Sequence, residues 1–233
     1  MASNNLKDLL NFSELTPNIK SHLNQVYGTL SIACLSATAG CIIVPASMVQ
    51  GFAFLIFGII ATIGLVITMH AKRGNKDHGT KFLCLLAIAF IDGASLKPLI
   101  SIAEEIDPMI ILNALIYTAT IFISFSVASL ITKRRSMLFL GGFLSSILLA
   151  VFFGGLLQMV FGFYIFSNLG YNVLMLVVFS FYVIYDTQVI VEKAARGDYD
   201  YTLHALELFI DLIRIFVHIL RILIELNSDK KKK

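Results

Sequence analysis

The chain has 233 residues, of which 58% are hydrophobic and only 14% are charged, and its mean hydropathy is +0.84. Soluble domains contain about 45–50% apolar and about 25% charged residues, so this composition excludes a soluble globular enzyme. The formal net charge of +3 is too small to favour nucleic-acid binding. The composition therefore predicts an all-α membrane protein that crosses the bilayer several times.

The polar residues 1–28 come first, and we expect them to form a cytosolic N-terminal arm. Six apolar segments follow, each close to the ~20 residues that a helix needs to cross a bilayer. These segments are residues 30–48, 52–70, 82–103, 109–132, 137–158 and 171–190. A seventh hydrophobic segment, 203–227, precedes a Lys-rich tail at 228–233 that we expect to be cytosolic. The pattern predicts a seven-helix membrane domain over residues 29–227.

Basic residues occur only in alternate connections between the six segments. They follow the second, fourth and sixth segments, namely Lys72, Arg73, Lys76, Lys81, Lys133, Arg134, Arg135, Lys193 and Arg196. Because basic loops stay in the cytosol, these connections and the N-terminus are predicted to be cytosolic. The acidic connection of Glu104, Glu105 and Asp107 then faces the other side of the membrane.

The seventh segment carries ionisable residues at alternating spacings of three and four, which place them on one face of a helix. We call these residues the polar stripe: His204, Glu207, Asp211, Arg214, His218, Arg221 and Glu225. Charged groups in lipid must face protein, water or headgroups. The helix is therefore either central, with the stripe lining a polar path, or re-entrant or in-plane, with the stripe facing water. Its two flanks both look cytosolic, which leaves both interpretations open.

Two acidic residues stand out as a candidate pH sensor. Asp186 lies near the end of the sixth segment, and Asp211 lies in the polar stripe. In an antiparallel pairing of the two helices, both carboxylates could meet at one depth. Two carboxylates in contact do not both ionise easily, so they share a proton and form a pH-responsive latch and a calcium-type oxygen site. We expect protonation to free the helices and open the path. The alternative is that Asp186 is a charge at a helix end.

The third segment contains a second polar group. Pro98 and Gly93 predict a break in this helix, with Asp92 and Lys97 on either side of it. The two charges either neutralise each other or contribute to an ion path. The Gly-Ala-Ser95 match to an intramembrane hydrolase, with His204 or His218 as base, is weak because no oxyanion-forming glycine follows. We therefore expect neither an enzyme nor a bound cofactor.

The C-terminal tail is a run of four lysines, Lys230, Lys231, Lys232 and Lys233. Lysines near the surface of an anionic membrane each contribute about 1 kcal/mol of binding. Lys230 and Lys231 also form a dilysine retrieval pattern typical of residents of the endoplasmic reticulum. The tail therefore favours that membrane.

Several motifs resemble those of the eukaryotic Bax inhibitor family. The C-terminal motifs are Phe-Tyr-Val-Ile-Tyr-Asp186-Thr187-Gln188, Glu192-Lys193-Ala194, Gly197-Asp198, Asp200-Tyr201 and Leu208-Phe209-Ile210-Asp211, followed by the lysine tail. Two earlier stretches agree, namely Lys133-Arg134-Arg135-Ser136 before Leu138-Phe139-Leu140-Gly141-Gly142, and the Gly-x-x-Leu-x-Pro frame from Gly93 to Pro98.

This resemblance implies a seven-helix fold with a central last helix, residence in the endoplasmic reticulum, suppression of Bax-type cell death and a pH-sensitive calcium leak. It also implies that Asp186 and Asp211 form the proton-sharing pair, for which Arg214 is a candidate basic partner. Lys97 and Asp92 depart from the family pattern, because the family more often has glycine and a neutral residue there. The alternative is a non-conducting anti-apoptotic protein that binds Bcl-2-type partners through the lysine tail and the loop 193–202.

Overall fold

The computed structural model describes residues 16–49, 51–71, 78–132, 138–161 and 167–231. Every regular element in these ranges is an α-helix, as the sequence predicts. The helices are α1 (Pro17–Ile43), α2 (Ala46–Val49), α3 (Phe52–Ala71), α4 (His78–Ser95), α5 (Lys97–Ile106), α6 (Met109–Ile131), α7 (Leu140–Phe161), α8 (Asn168–Ala195) and α9 (Tyr201–Lys231).

Some predicted features lie outside the described residues. They are the first 15 residues of the N-terminal arm, the basic residues Lys72, Arg73, Lys76, Lys133, Arg134 and Arg135, and the last two lysines, Lys232 and Lys233. Lys230 and Lys231 form the end of α9, so the last helix continues into the predicted tail.

Among the described residues, four helices are long and apolar enough to cross a membrane. They are α1, α6, residues Leu140–Leu157 of α7, and α8, and the bent pair of α4 and α5 makes a fifth if it forms one span. The chain is therefore a multi-pass membrane protein. The charges of α9 keep it out of this set, and the predicted total of seven membrane helices remains a prediction.

Prolines explain where the helices near the N-terminus begin and end. Pro17 opens α1, a position that needs no backbone N–H, so the helix starts within the predicted polar arm. The first segment does not run unbroken to residue 48, because α1 ends at Ile43, two residues before Pro45, and a separate short helix follows. Pro98 lies at the start of α5, and α4 and α5 meet at 41°. This bend confirms the predicted break in the third segment.

The chain divides into two compact units. The N-terminal unit comprises the described residues of Pro17–Asp107 and Asp198–Ile210, and the C-terminal unit comprises the described residues of Pro108–Gly197 and of the chain from Asp211 onward. Helix α9 contributes its first ten residues to the N-terminal unit and the remainder to the C-terminal unit.

In the N-terminal unit, α4 is the central helix and packs against α1 and α3. Two glycines permit close contact between α1 and α4, because a Cβ on Gly40 would collide with the Phe90 carbonyl and one on Gly93 with the Ala37 carbonyl. The Ser36 hydroxyl donates to the Leu86 carbonyl at 2.8 Å across the same contact. Small residues allow such close helix packing where lipid surrounds the protein.

In the C-terminal unit, α8 packs against both α6 and α7. Half of the apolar window of α8 is buried, compared with 11% for α7, so α7 exposes most of its surface to lipid. Ser129 of α6 donates its hydroxyl to the Ile184 carbonyl at 2.9 Å, and the ring of Tyr185 lies over Gly141 of α7. Helix α8, which carries Asp186, therefore packs at the core of this unit.

Candidate functional site

The polar stripe lies on one continuous helix, α9, but its members differ in burial. His204, Asp211 and His218 are buried, Glu207 and Glu225 are half-buried, and Arg214 and Arg221 are exposed. Helical spacing thus predicts the shared face correctly. The polar stripe therefore does not line one uniform polar path, because its buried members contact specific partners.

In the C-terminal unit, α9 contacts α8 through polar and aromatic groups. The Nδ1–H of His218 donates to the Asn172 side-chain oxygen at 2.9 Å, and the Asn172 amide donates to the Asn168 carbonyl. The Phe179 ring stacks on His218 with ring centres 5.7 Å apart, and the Arg214 guanidinium lies 5.8 Å from the centre of the same ring. These contacts align two turns of α8 with one turn of α9.

Asp186 and Asp211 both belong to the C-terminal unit. Asp186 is half-buried in α8, and the next two side chains, Thr187 and Gln188, are buried. Asp211 is 4% exposed in α9. The two carboxylates are therefore placed in the same unit, on the two helices that the Asn172, Phe179, Arg214 and His218 contacts align.

The N-terminal unit contains a polar cluster that the sequence does not reveal. Lys81 was predicted to be a loop residue, but it lies in α4, is 2% exposed and forms an ion pair with Asp200. The other oxygen of Asp200 accepts the backbone N–H of Leu203 at 3.3 Å at the start of α9. Next to this pair, His22 of α1 bonds to His204 of α9. In the sequence, the Gly197-Asp198 and Asp200-Tyr201 motifs draw attention to this region, but they do not identify Lys81 as the partner of Asp200.

Comparison with known proteins shows the family to which this sequence belongs. The family model described as "Inhibitor of apoptosis-promoting Bax1" matches residues 19–229, which include both aspartates and the whole polar stripe. The chain belongs to the Bax inhibitor family. It is 36% identical over 235 residues to human Bax inhibitor 1, covering 98% of this chain and 96% of that protein. It is also 35% identical over 225 residues to Bax inhibitor 1 of Oryza sativa subsp. japonica, covering 97% and 88%.

This Bax inhibitor family member places the two polar residues of the third segment on either side of the helix break. Asp92 lies in the last turn of α4, and Lys97 is the first residue of α5. Both are half-buried. Their mutual neutralisation and their part in an ion path stay predictions.

The residues of the weak hydrolase alternative are engaged elsewhere. The hydroxyl of Ser95 donates to the carbonyl of Ile91, one turn earlier on the same helix, at 2.8 Å. The two candidate bases, His204 and His218, bond to His22 and Asn172 respectively. No serine–histidine pair is assembled among these described residues.

The loop 193–202 was predicted to bind partner proteins, and Asp186 and Asp211 were predicted to bind calcium. Within the loop, Arg196 and Tyr199 are exposed, and Asp200 and Thr202 are buried. Gly197 has φ +91°, a conformation that favours glycine, and it turns the chain between α8 and α9. Over the part of the chain that the structure describes, no three or more His, Cys, Asp or Glu residues form a metal-binding group.

Proposed function

We propose that this Bax inhibitor family member is a seven-helix protein of the endoplasmic reticulum membrane that suppresses Bax-type apoptosis. We further propose that it conducts calcium through a pH-sensitive leak gated by Asp186 and Asp211, which we call the aspartate pair. The family membership and the relatives named Bax inhibitor 1 support the anti-apoptotic role. The alternation of basic residues supports a cytosolic N-terminus. Lys230 and Lys231 support the reticulum and a cytosolic tail, which requires the seventh helix, α9, to be re-entrant and not to cross the bilayer.

The alignment of α8 with α9 is the observation that carries the gate. Asn172 contacts His218, and the Phe179 ring stacks on His218 and lies against Arg214. Antiparallel helices rise equally per residue in opposite directions, so the seven residues from Phe179 forward to Asp186 on α8 match the seven residues from His218 back to Asp211 on α9. The antiparallel register therefore supports a meeting of the two carboxylates.

Two carboxylates at contact distance act as one titrating unit. Their mutual repulsion opposes full ionisation, so one proton is retained between them where an isolated aspartate would have lost it. When the pair is charged, it attracts cations and nearby basic groups, of which Arg214 lies one helical turn from Asp211. Protonation of both carboxylates removes that attraction and also the shared-proton bond, which frees α8 and α9 to separate. We therefore propose that acidification opens the leak.

Calcium is a suitable permeant ion for the aspartate pair. Calcium prefers six to eight oxygen ligands, so two carboxylates bind it weakly and release it, as conduction requires. Lys97 would repel calcium in such a path unless Asp92 neutralises it. A leak that operates despite Lys97 therefore depends on Asp92.

Calcium efflux from liposomes that contain the purified protein tests this function. Between about pH 8 and pH 5, wild-type calcium efflux should rise roughly tenfold. The protonated fraction of a single titrating group changes by about this factor over slightly more than one pH unit. Asp186→Asn and Asp211→Asn should each flatten the pH curve, because one remaining carboxylate has no partner with which to share a proton. Glu105→Gln, which removes an exposed acid from the last turn of α5, should leave the curve unchanged. Unchanged titration in both aspartate variants would contradict the gate.

The second candidate function is a non-conducting anti-apoptotic protein that binds Bcl-2-type proteins. The exposure of Arg196 and Tyr199 in the tight turn between α8 and α9 favours a contact there. Arg196→Glu should then weaken binding of a purified Bcl-2-type protein, and Lys20→Glu, at an exposed position of α1, should not. This function gains support if wild-type liposomes carry no calcium at any pH and Arg196→Glu weakens binding.

A further inference from the structure

Two histidines distant in sequence form a buried contact in the N-terminal unit. His22 lies in the second turn of α1, and His204 lies in the first turn of α9. Their ring nitrogens, Nε2 of His22 and Nδ1 of His204, are 2.9 Å apart. The two residues are only 2% and 1% exposed. This histidine pair is therefore a direct, water-shielded bond between the first and last helices.

Titratable groups from three elements face the histidine pair. Asp198, Tyr199 and Asp200 lie in the turn before α9. Asp198 and Asp200 act electrostatically on His22, and the Tyr199 ring meets the His22 ring edge-on, with ring centres 5.5 Å apart. From α4 comes Lys81, whose ammonium is paired with Asp200 and thereby offsets that carboxylate. Further along α9 lies Glu207, which is half-buried.

The bond between two imidazoles depends on their protonation. One ring must donate an N–H and the other must accept with a lone pair, so the bond exists only while at least one ring is neutral. When both rings are imidazolium, every ring nitrogen carries hydrogen, and the two nitrogens repel each other. The Nδ1 of His22 is buried and has no hydrogen-bond partner among the described residues. When Nε2 of His22 is the donor to His204, this Nδ1 carries a lone pair, so a proton can add there.

We propose that the histidine pair is a proton-operated lock that fastens α1 to the start of α9 and releases when both rings are protonated. Burial and the charge of the first imidazolium both oppose the second proton, so it adds only below the pH of about 6.5 at which a free histidine titrates. The bond closes a separation of 182 residues along the chain. Release would therefore free the first helix from the last within this unit. The lock is separate from the aspartate pair, which lies in the C-terminal unit.

Hydrogen exchange of the full-length protein in detergent micelles, followed by mass spectrometry, tests the lock. Exchange is compared at about pH 7.5 and pH 4.5 after correction for intrinsic rates. In the wild type, peptides covering residues 17–26 and 201–208 should exchange roughly tenfold faster at the lower pH, since a lost hydrogen bond changes local opening by about this factor.

The matched variant is His22→Gln with His204→Asn, which places amide groups where Nε2 and Nδ1 lie and so retains a hydrogen bond that cannot be protonated. The acceleration at low pH should disappear in this double variant. The control is His70→Gln, because His70 is exposed and bonds only to the Val66 carbonyl of its own helix, at 3.0 Å, among the described residues. The control should behave as the wild type does.

Equal acceleration in the double variant, or no acceleration in the wild type, would overturn the lock. Nitrogen-15 NMR of histidine-labelled wild-type protein gives a reading that needs no double variant. We expect the His22 and His204 signals to titrate together, so that His204→Asn alone shifts the His22 titration. Independent titration of His22 overturns the proposal. Neither experiment depends on calcium flux, so failure of the lock and failure of the proposed leak are distinguishable.

Discussion

Replacing Lys81 with methionine should lower the stability of the protein by about 3–5 kcal/mol, the usual cost of removing one partner from a buried ion pair. Lys81 and Asp200 are 2% and 8% exposed, so little water reaches either charge. Methionine fills much the same space as lysine but leaves the carboxylate of Asp200 buried without its cation. Chemical unfolding of the purified protein in mixed micelles measures the loss.

A double-mutant cycle identifies the ion pair as the cause. Asp200→Asn should cost a similar amount, because it strands the Lys81 charge while its side-chain oxygen can still accept the Leu203 N–H. The double variant Lys81→Met with Asp200→Asn should recover most of the stability, since no unpaired charge remains. The exposed Lys20→Met should change stability by less than about 0.5 kcal/mol. Additive losses in the double variant would contradict a direct interaction.

Gly93→Ala should destabilise the N-terminal unit by about 3 kcal/mol, at the upper end of the usual cost of overpacking. An alanine Cβ at this position would overlap the backbone carbonyl of Ala37 on α1. Because the obstacle is backbone, no side-chain rotation relieves the clash, and the two helices must move apart. Gly40→Ala should act in the same way through the Phe90 carbonyl. Thermal unfolding in detergent measures both effects.

Gly64→Ala is the matched control for these two substitutions. Gly64 also lies within an apolar helix, α3, but a Cβ there meets nothing within 4 Å. Alanine favours helix over glycine by up to about 1 kcal/mol, so this variant should be as stable as the wild type or slightly more stable. A Gly93→Ala protein with wild-type thermal stability would show that α1 and α4 are further apart than described.

Local sequence signals predicted the helical features well. Apolar runs identified the membrane class, and Pro98 predicted the bend between α4 and α5, because proline removes a backbone donor and disrupts the preceding turn. Spacings of three and four placed the polar stripe on one helix, α9, as found. Helix α1 begins at Pro17, within the predicted polar arm, because hydropathy marks the lipid-facing part of a helix and not its polar first turns.

The tertiary polar contacts could not be predicted from one sequence. Lys81 was interpreted as a cytosolic loop charge because basic residues near segment ends usually are, whereas its partner Asp200 lies 119 residues away. His22 carried no signal at all, and its bond to His204 depends on how α1 and α9 pack. Asp186 and Asp211 stood out in the sequence as acids within apolar segments, and the resemblance of their flanking motifs to those of the Bax inhibitor family strengthened their interpretation as a pair.

Infrared difference spectroscopy of the reconstituted protein tests most directly whether Asp186 and Asp211 hold one proton between them. On acidification through neutral pH, the wild type should gain the carbonyl band of one protonated carboxylic acid. Each of Asp186→Asn and Asp211→Asn should remove that band, because sharing requires both carboxylates. A band that persists unchanged in both variants, or two independent bands of which each variant removes one, would contradict a shared proton.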